Sequence, residues 1–464
     1  MSSAFETAQL ESGPGFHGGK PTGGSADASI SRKVDRLTKA VYALGLLSLI
    51  LLGISTAAIA IANDSKDSSS SGSSIRLSTS PDSSSSVPLF ETQGYWTGAP
   101  ELPVPSLTDH IVVADYDGNY TSSAWILGGA VPRDNGTQTV IDTVYEFDSL
   151  TAEFKPRKPM PTPRYRFAAA LLDNKIYVTG GLSAPDDADA VTIVPGTAIY
   201  DIPTDTWTNV PTASPATPRT DSCMTPAGGK LILAGGYSQG YEQTLASAEQ
   251  FDPSTNTWSP LPSDMPSPRG DLACSSLSAA PNAHQIGNLT ENGGADLAVF
   301  IGGYYDPTNN FSPGAFVTTV EQYNPATEEW TTLAPVLHPR GDKAVCRLPS
   351  NRLLLLGGET TVDNRNEVAS NLGAMYIPGE SDDDNSIGTW VSVTPMPFGR
   401  FRFGCAYLPG GHGVYTFGGA TTSICETDAS TDDTVCTKRG GSETVFKFVT
   451  DEEKADVFLN ASEE

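Results

Sequence analysis

Basic residues are scarce in this chain of 464 residues: 28 Lys and Arg stand against 54 Asp and Glu, a net charge of −26. That balance excludes nucleic acid as a partner, because binding a phosphate backbone needs clustered cations to displace its counterions. Cysteine is sparse, six in the whole length, too few for a disulfide scaffold. Histidine is sparser still, at five. Nothing resembles a Ser-His-Asp nucleophile or a zinc-ligand spacing, so no catalytic residue, metal ligand or cofactor is expected. Glycine and proline, by contrast, are plentiful (45 and 35) and spread along the chain, which points to many short strands and turns.

Long, continuously apolar charge-free runs are also missing, with one exception. Residues 40–62 read "AVYALGLLSLILLGISTAAIAIA", 23 residues without a charge, long enough at ~1.5 Å per residue to cross a bilayer core. Arg32, Lys33, Arg36 and Lys39 precede it, and Asp64, Lys66 and Asp67 follow. The basic side is expected in the cytosol, giving a single-pass type II signal-anchor with the remainder extracellular or luminal, at the plasma membrane or in the Golgi and endomembranes. A cleaved signal peptide is the rival reading, since "AIA" at 60–62 has the form of a cleavage site, but the preceding 39 residues and the length of the run argue against it. Residues 1–39 are expected to be a disordered cytosolic tail, residues 63–89 a flexible Ser-rich stalk, and residues 451–464 an acidic tail.

Between stalk and tail, residues 90–450 repeat. Six apolar runs end in Gly-Gly: "WILGG", "IYVTGG", "LILAGG", "AVFIGG", "LLLLGG" and "VYTFGG", with second glycines Gly129, Gly181, Gly236, Gly303, Gly358 and Gly419. After each comes a short strand with an aromatic, then Phe154, Trp207, Trp258, Trp330 or Trp390, then a Pro-rich link ending in Arg164, Arg219, Arg269, Arg340 or Arg400. The sixth unit lacks its tryptophan strand. That strand stands at the other terminus, as "QGYWTGAP" with Trp96, and is expected to complete the last unit. Four short strands per unit, at roughly 50-residue spacing, predict an all-β, six-bladed propeller closed by the N-terminal strand.

The Gly-Gly, aromatic, tryptophan and Met-Pro-x-Pro-Arg series resembles kelch repeats. The resemblance implies a recognition module that binds a protein or a glycan. In kelch domains that act as substrate adaptors, a charged residue two places past the repeat arginine contacts the peptide. Here that slot holds Arg166, Asp221, Asp271, Asp342 and Arg402, expected to ring the channel mouth and to favour a mixed or cationic ligand. Mutual pairing of these charges is the competing reading. Some kelch-like propellers are copper oxidases, but the histidines His110, His284, His338 and His412 read as scattered surface or loop residues. A propeller enzyme of the carbohydrate or oxidase kind remains one alternative. A cytosol-facing adaptor, with the topology inverted, is another.

Two Arg-Gly-Asp tripeptides, in "SPRGDL" at 267–272 and "HPRGDK" at 338–343, fall in this same slot. They are expected to follow from the repeat rather than to form an adhesion ligand. Cys223, Cys274, Cys346 and Cys405 lie just past repeat arginines and read as small core residues rather than cross-blade disulfides, which would need the Cα atoms of neighbouring inner strands within ~7 Å. Cys425 and Cys436 share a loop and are expected to pair. Sequons at Asn119, Asn135, Asn288, Asn310 and Asn460 are expected to carry glycans, whereas Asn63 abuts the bilayer.

Overall fold

The computed structural model describes residues 94–450, except 115–121, 134–136, 185–191, 239–242, 280–296, 308–314, 349–350, 362–366, 380–386, 412, 422–423, 428–433 and 438–443. The described residues lie within one compact unit, Ser85–Glu464. No helix among them is long and apolar enough to cross a membrane. The apolar run 40–62, the stalk and both tails lie outside them.

Six antiparallel four-stranded sheets form the fold. Blade 1 runs Ile111–Ala114, Ser123–Leu127, Val144–Asp148 and Glu153–Arg157. The inner strands of blades 2 to 6 are Ala168–Leu172, Cys223–Ala227, Ala273–Leu277, Ala344–Leu348 and Gly404–Leu408. Each inner strand contacts the next in a closed cycle around a central channel. In blade 6, Gly94–Ala99 pairs with Val445–Thr450, so the N-terminal strand does close the ring on the C-terminal one.

The second strands are largely apolar because both of their faces are buried. Successive side chains point to opposite sides. Trp125 and Leu127 therefore join the cluster shared with blade 2, while Ala124 and Ile126 join the cluster shared with blade 6. Every blade-to-blade interface carries one such cluster. On the outer two strands, an aromatic stands directly opposite the repeat tryptophan: Tyr200 with Trp207, Phe251 with Trp258, Tyr323 with Trp330, Tyr376 with Trp390 and Phe448 with Trp96. Their ring centroids lie 5.0 to 5.3 Å apart, in the tilted range that aromatic pairs prefer. Blade 1 fills the position with Phe147 on Phe154 at 4.8 Å.

The cysteine expectation is corrected. Cys223 is bonded to Cys274 and Cys346 to Cys405, each pair with Cα atoms 5.8 Å apart. Inner strands converge toward the axis, so residues one step out of register on neighbouring blades fall within disulfide reach. One bond staples blade 3 to blade 4, the other blade 5 to blade 6. Cys425 and Cys436 face one another in the hairpin of Ile424–Thr427 and Thr434–Thr437, by backbone register; their side chains lie outside the described residues, as do all five sequon asparagines.

Candidate functional site: a closed ring at one pole of the channel

The site begins with the repeat arginine and Gly-Gly. Four of the five buried arginines reach the carbonyl of the first glycine of their own blade: Arg164 to Gly180 at 3.2 Å, Arg219 to Gly235 at 3.0 Å and Arg400 to Gly418 at 3.0 Å, with Arg340 bonded to Gly357 in the same way, while Arg269 reaches the Phe300 carbonyl and Glu321 instead. The arginine's own carbonyl accepts the N–H of the second glycine of the preceding blade, as from Gly129 to Arg164 and from Gly236 to Arg269. The motif therefore ties each blade to its neighbour. Gly129 has φ +103°, and a Cβ there would stand 2.6 Å from the Thr108 carbonyl oxygen, so the position needs glycine.

Blade 5 departs from the pattern. The buried Lys343 donates from Nζ to the Arg340 carbonyl oxygen at 2.8 Å. Burial, with Arg340 and Arg269 nearby, lowers this amine to about 7.

Past the arginine, one residue forms a bridge to the residue after a Gly-Gly. These pairs are Thr108 with Ala130, Tyr165 with Leu182, Thr220 with Tyr237, Gly270 with Tyr304, Gly341 with Glu359 and Phe401 with Ala420. The next residue turns with positive φ, between +47° and +56°, in all six blades: Asp109, Arg166, Asp221, Asp271, Asp342 and Arg402. Their backbones close a circle. The amide of each donates to the carbonyl of its counterpart in the preceding blade, from Asp109 to Arg402 at 3.1 Å round to Arg402 to Asp342 at 2.9 Å.

The five charged residues singled out in the sequence thus converge at one end of the channel, and a sixth joins them. Asp109 escaped notice because blade 1 carries Leu107 where the others carry arginine, so no Pro-Arg flag precedes it. The signal was present: Thr108–Asp109 repeats the Thr220–Asp221 of blade 3.

Around the ring the order is Asp, Arg, Asp, Asp, Asp, Arg. Arg166 bonds Asp109 at 3.0 Å and lies 3.8 Å from Asp221. Arg402 bonds Asp342 at 2.7 Å, with Asp109 at 3.6 Å. These side chains are largely buried, so they form a paired plug rather than an open fringe. Asp271 sits between two aspartates, opposite Asp109. Its Oδ2 accepts the Tyr237 hydroxyl at 2.8 Å. Asp221, Asp271 and Asp342 bring carboxylate oxygens within 4.8 Å of one another. Burial is the largest influence on both middle acids: it raises Asp221 to about 7, and it raises Asp271 well above the usual carboxylate range, with Asp342 and Asp221 adding to the latter effect. Such a trio is short of positive charge and suits a cation.

The hairpins Ala130–Pro132 with Gln138–Val140, Glu359–Thr361 with Glu367–Ala369, and Ile424–Thr427 with Thr434–Thr437 all leave from the Gly-Gly end of their blades, the end that carries the ring. In blade 4 the second and third strands, Leu297–Tyr304 and Phe316–Asn324, run on past their Gly-Gly at that same end.

Both Arg-Gly-Asp tripeptides are now explained residue by residue. Arg269 and Arg340 are buried against backbone carbonyls and, for Arg269, against Glu321. A Cβ on Gly270 would collide with the Tyr237 ring, and one on Gly341 would stand 2.5 Å from the Phe316 ring. Asp271 and Asp342 belong to the ring. Neither tripeptide stands at a loop tip.

His110, read as a surface or loop residue, is buried on the channel wall, where burial lowers its imidazole to about 4. His338 is exposed, and His284 and His412 lie outside the described residues.

Residues 112–283 match the family model of the KLHDC2/KLHL20/DRC7 Kelch-repeats domain. Among curated proteins, the Kelch-like protein terF of Aspergillus terreus is 27% identical over 281 residues, covering 59% of this chain and 54% of its own length. Human Kelch-like protein 23 is 25% identical, covering 63% of this chain and 44% of its own length. The chain thus spans about half the length of the curated relatives it matches. Among solved structures, that of YjhT superposes with a TM-score of 0.51 at 16% identity, over 73% of this chain and 99% of that one, a likeness of fold. Repeat pattern, family model, curated relatives and architecture together support the kelch-repeat family for this propeller.

Proposed function

We propose that this chain is a membrane-anchored recognition module whose propeller binds a protein partner through a cationic segment docked at the ring pole, on the extracellular or luminal side. The observation that carries the binding half is the convergence of the Asp221, Asp271 and Asp342 carboxylates within 4.8 Å, on the end from which the long hairpins rise. A lysine or arginine side chain of the partner would relieve the mutual repulsion of these acids. A glycan fits less well at this pole. Sugars stack on open aromatic faces, and Tyr237, Tyr304 and Phe316 beside the ring are buried.

The anchor reading rests on the 40–62 run and its basic flank. The non-cytosolic reading gains support from the two interblade disulfides, which persist in oxidising compartments. Tethered by a stalk, such a domain would capture partners near the membrane surface and needs no chemistry of its own.

The test is direct binding of the full-length chain, held in nanodiscs, to peptide arrays that are basic, acidic or neutral. Basic peptides should be retained, with affinity falling as salt rises, and Asp271→Asn combined with Asp342→Asn should abolish retention. Retention that is indifferent to charge and to both substitutions would sink the ring as the site.

A further inference from the structure

The channel holds a cavity of about 500 Å³ walled by all six inner strands. At one end stands the ring. At the other lie the turns between inner and second strands, with Asp173, Asn174 and Arg347 among the lining residues. The two staples differ in what they present to this space. Cys346 is 0% exposed and does not line the cavity, and Cys405, although it lines the wall, is only 5% exposed and packed in the core between blades 5 and 6. Cys223 and Cys274 both line the cavity and are partly exposed to it.

We propose that Cys223–Cys274 is a thiol-exchange site reached through the channel by low-molecular-weight thiols, while Cys346–Cys405 is a permanent staple. A thiolate of the small thiol attacks one Sγ along the S–S axis. The bond between Cys223 and Cys274 breaks, and the electron pair leaves on the other Sγ, which takes up a proton. A second small thiolate attacks the mixed disulfide and releases the remaining protein thiol. The net change is one protein disulfide reduced and two small thiols oxidised to their disulfide.

The location gives this exchange a consequence. Cys223 lies two residues past Asp221, and Cys274 three past Asp271, and the Asp271 amide donates to the Asp221 carbonyl oxygen at 3.2 Å. The staple therefore sits directly beneath the most acidic arc of the ring. With the bond intact, blades 3 and 4 are locked there. With it open, only packing and hydrogen bonds hold that arc.

The test treats the folded full-length chain with dithiothreitol and, separately, with reduced thioredoxin at equal thiol concentration, followed by alkylation and peptide mass spectrometry. Under dithiothreitol, Cys223 and Cys274 should become alkylated roughly tenfold faster than Cys346 and Cys405, because access limits the rate. Thioredoxin, too large for the channel, should give no such acceleration. Hydrogen exchange should then rise in Cys223–Ala227 and Ala273–Leu277 and stay unchanged in Ala344–Leu348 and Gly404–Leu408. Equal rates at all four cysteines, equal speed with thioredoxin, alkylation before any reductant is added, or unaltered exchange after selective reduction would each overturn the proposal.

Discussion

Single residues at the ring carry opposite responses to pH. Asp221 is raised to about 7 in the fold from an ordinary value near 4, so between those values the folded state holds a proton that the unfolded chain has lost. Its contribution to stability falls as pH climbs from about 4 to about 7. The stability advantage of Asp221→Asn over the native chain should grow through that window and then level off. Asparagine also accepts the positive φ that the turn imposes. Lys343 behaves in reverse. Lowered to about 7 from an ordinary value near 10.4, it is neutral in the fold and charged in the unfolded chain between those values. Stability from this residue is least below about pH 7 and recovers as pH rises toward about 10. Any advantage of Lys343→Met should therefore shrink over that upper window, apart from a constant offset for the lost bond to the Arg340 carbonyl. Denaturant melts at a series of pH values check both slopes. Asp271→Asn, which keeps an acceptor for the Tyr237 hydroxyl while removing the acid between two others, should stabilise the fold at pH 7.

At the scale of the repeat element, the arginine slot separates two kinds of loss. Arg219 pairs with the buried Glu249 at 2.7 Å and also holds the Gly235 and Ser247 carbonyls. Arg219→Ala would strand that carboxylate, at a cost of about 3 to 5 kcal/mol. Arg400 has no carboxylate among its hydrogen-bond partners. It donates to the Gly418 and Thr444 carbonyls and lies over the Phe398 and Phe446 rings. Arg400→Ala should cost less, about 1 to 3 kcal/mol, for carbonyls left unsatisfied. Thermal melts of the two variants side by side test the ranking.

This element was legible in the sequence because its parts recur. Six Gly-Gly pairs and five matched tryptophans fix strand order and blade count without any knowledge of contacts. What repetition does not mark was harder to read. Asp109 was invisible without its arginine. The disulfides were misjudged because distance between inner strands depends on how tightly the ring closes, a property that no local spacing states. The mutual pairing of Arg166 and Arg402 with their neighbours likewise depends on which blades become adjacent.

The whole molecule depends on one junction. Strand Gly94–Ala99 is the covalently most distant partner of Val445–Thr450, and Trp96 packs on Phe448 with centroids 5.0 Å apart. Trp96→Ala should destabilise the entire propeller by about 2 kcal/mol or more, because a half-buried aromatic is lost at the seam. Deletion of residues 94–99 should abolish cooperative folding rather than subtract one blade. The effect would be read as exposed hydrophobic surface by dye binding. At the same scale, the anchored, non-cytosolic reading predicts that intact microsomes protect the large domain from protease and that a glycosidase shifts its mobility. A domain digested from outside the microsomes and carrying no sugar would reverse the topology.

The closed circle of backbone hydrogen bonds has an evolutionary corollary. All six amides at the pole are already spent on one another, so the main chain there keeps its course whichever side chains it bears. Recognition at that pole is written in six interchangeable letters on a fixed line. The alphabet is short, because a positive φ admits Asp, Asn, Gly or Arg far more readily than a β-branched residue. Within it, a change of one letter can retune charge without rebuilding the scaffold. Related propellers could thus part ways in partner preference through a handful of substitutions at Asp109, Arg166, Asp221, Asp271, Asp342 and Arg402, while their blades stay the same.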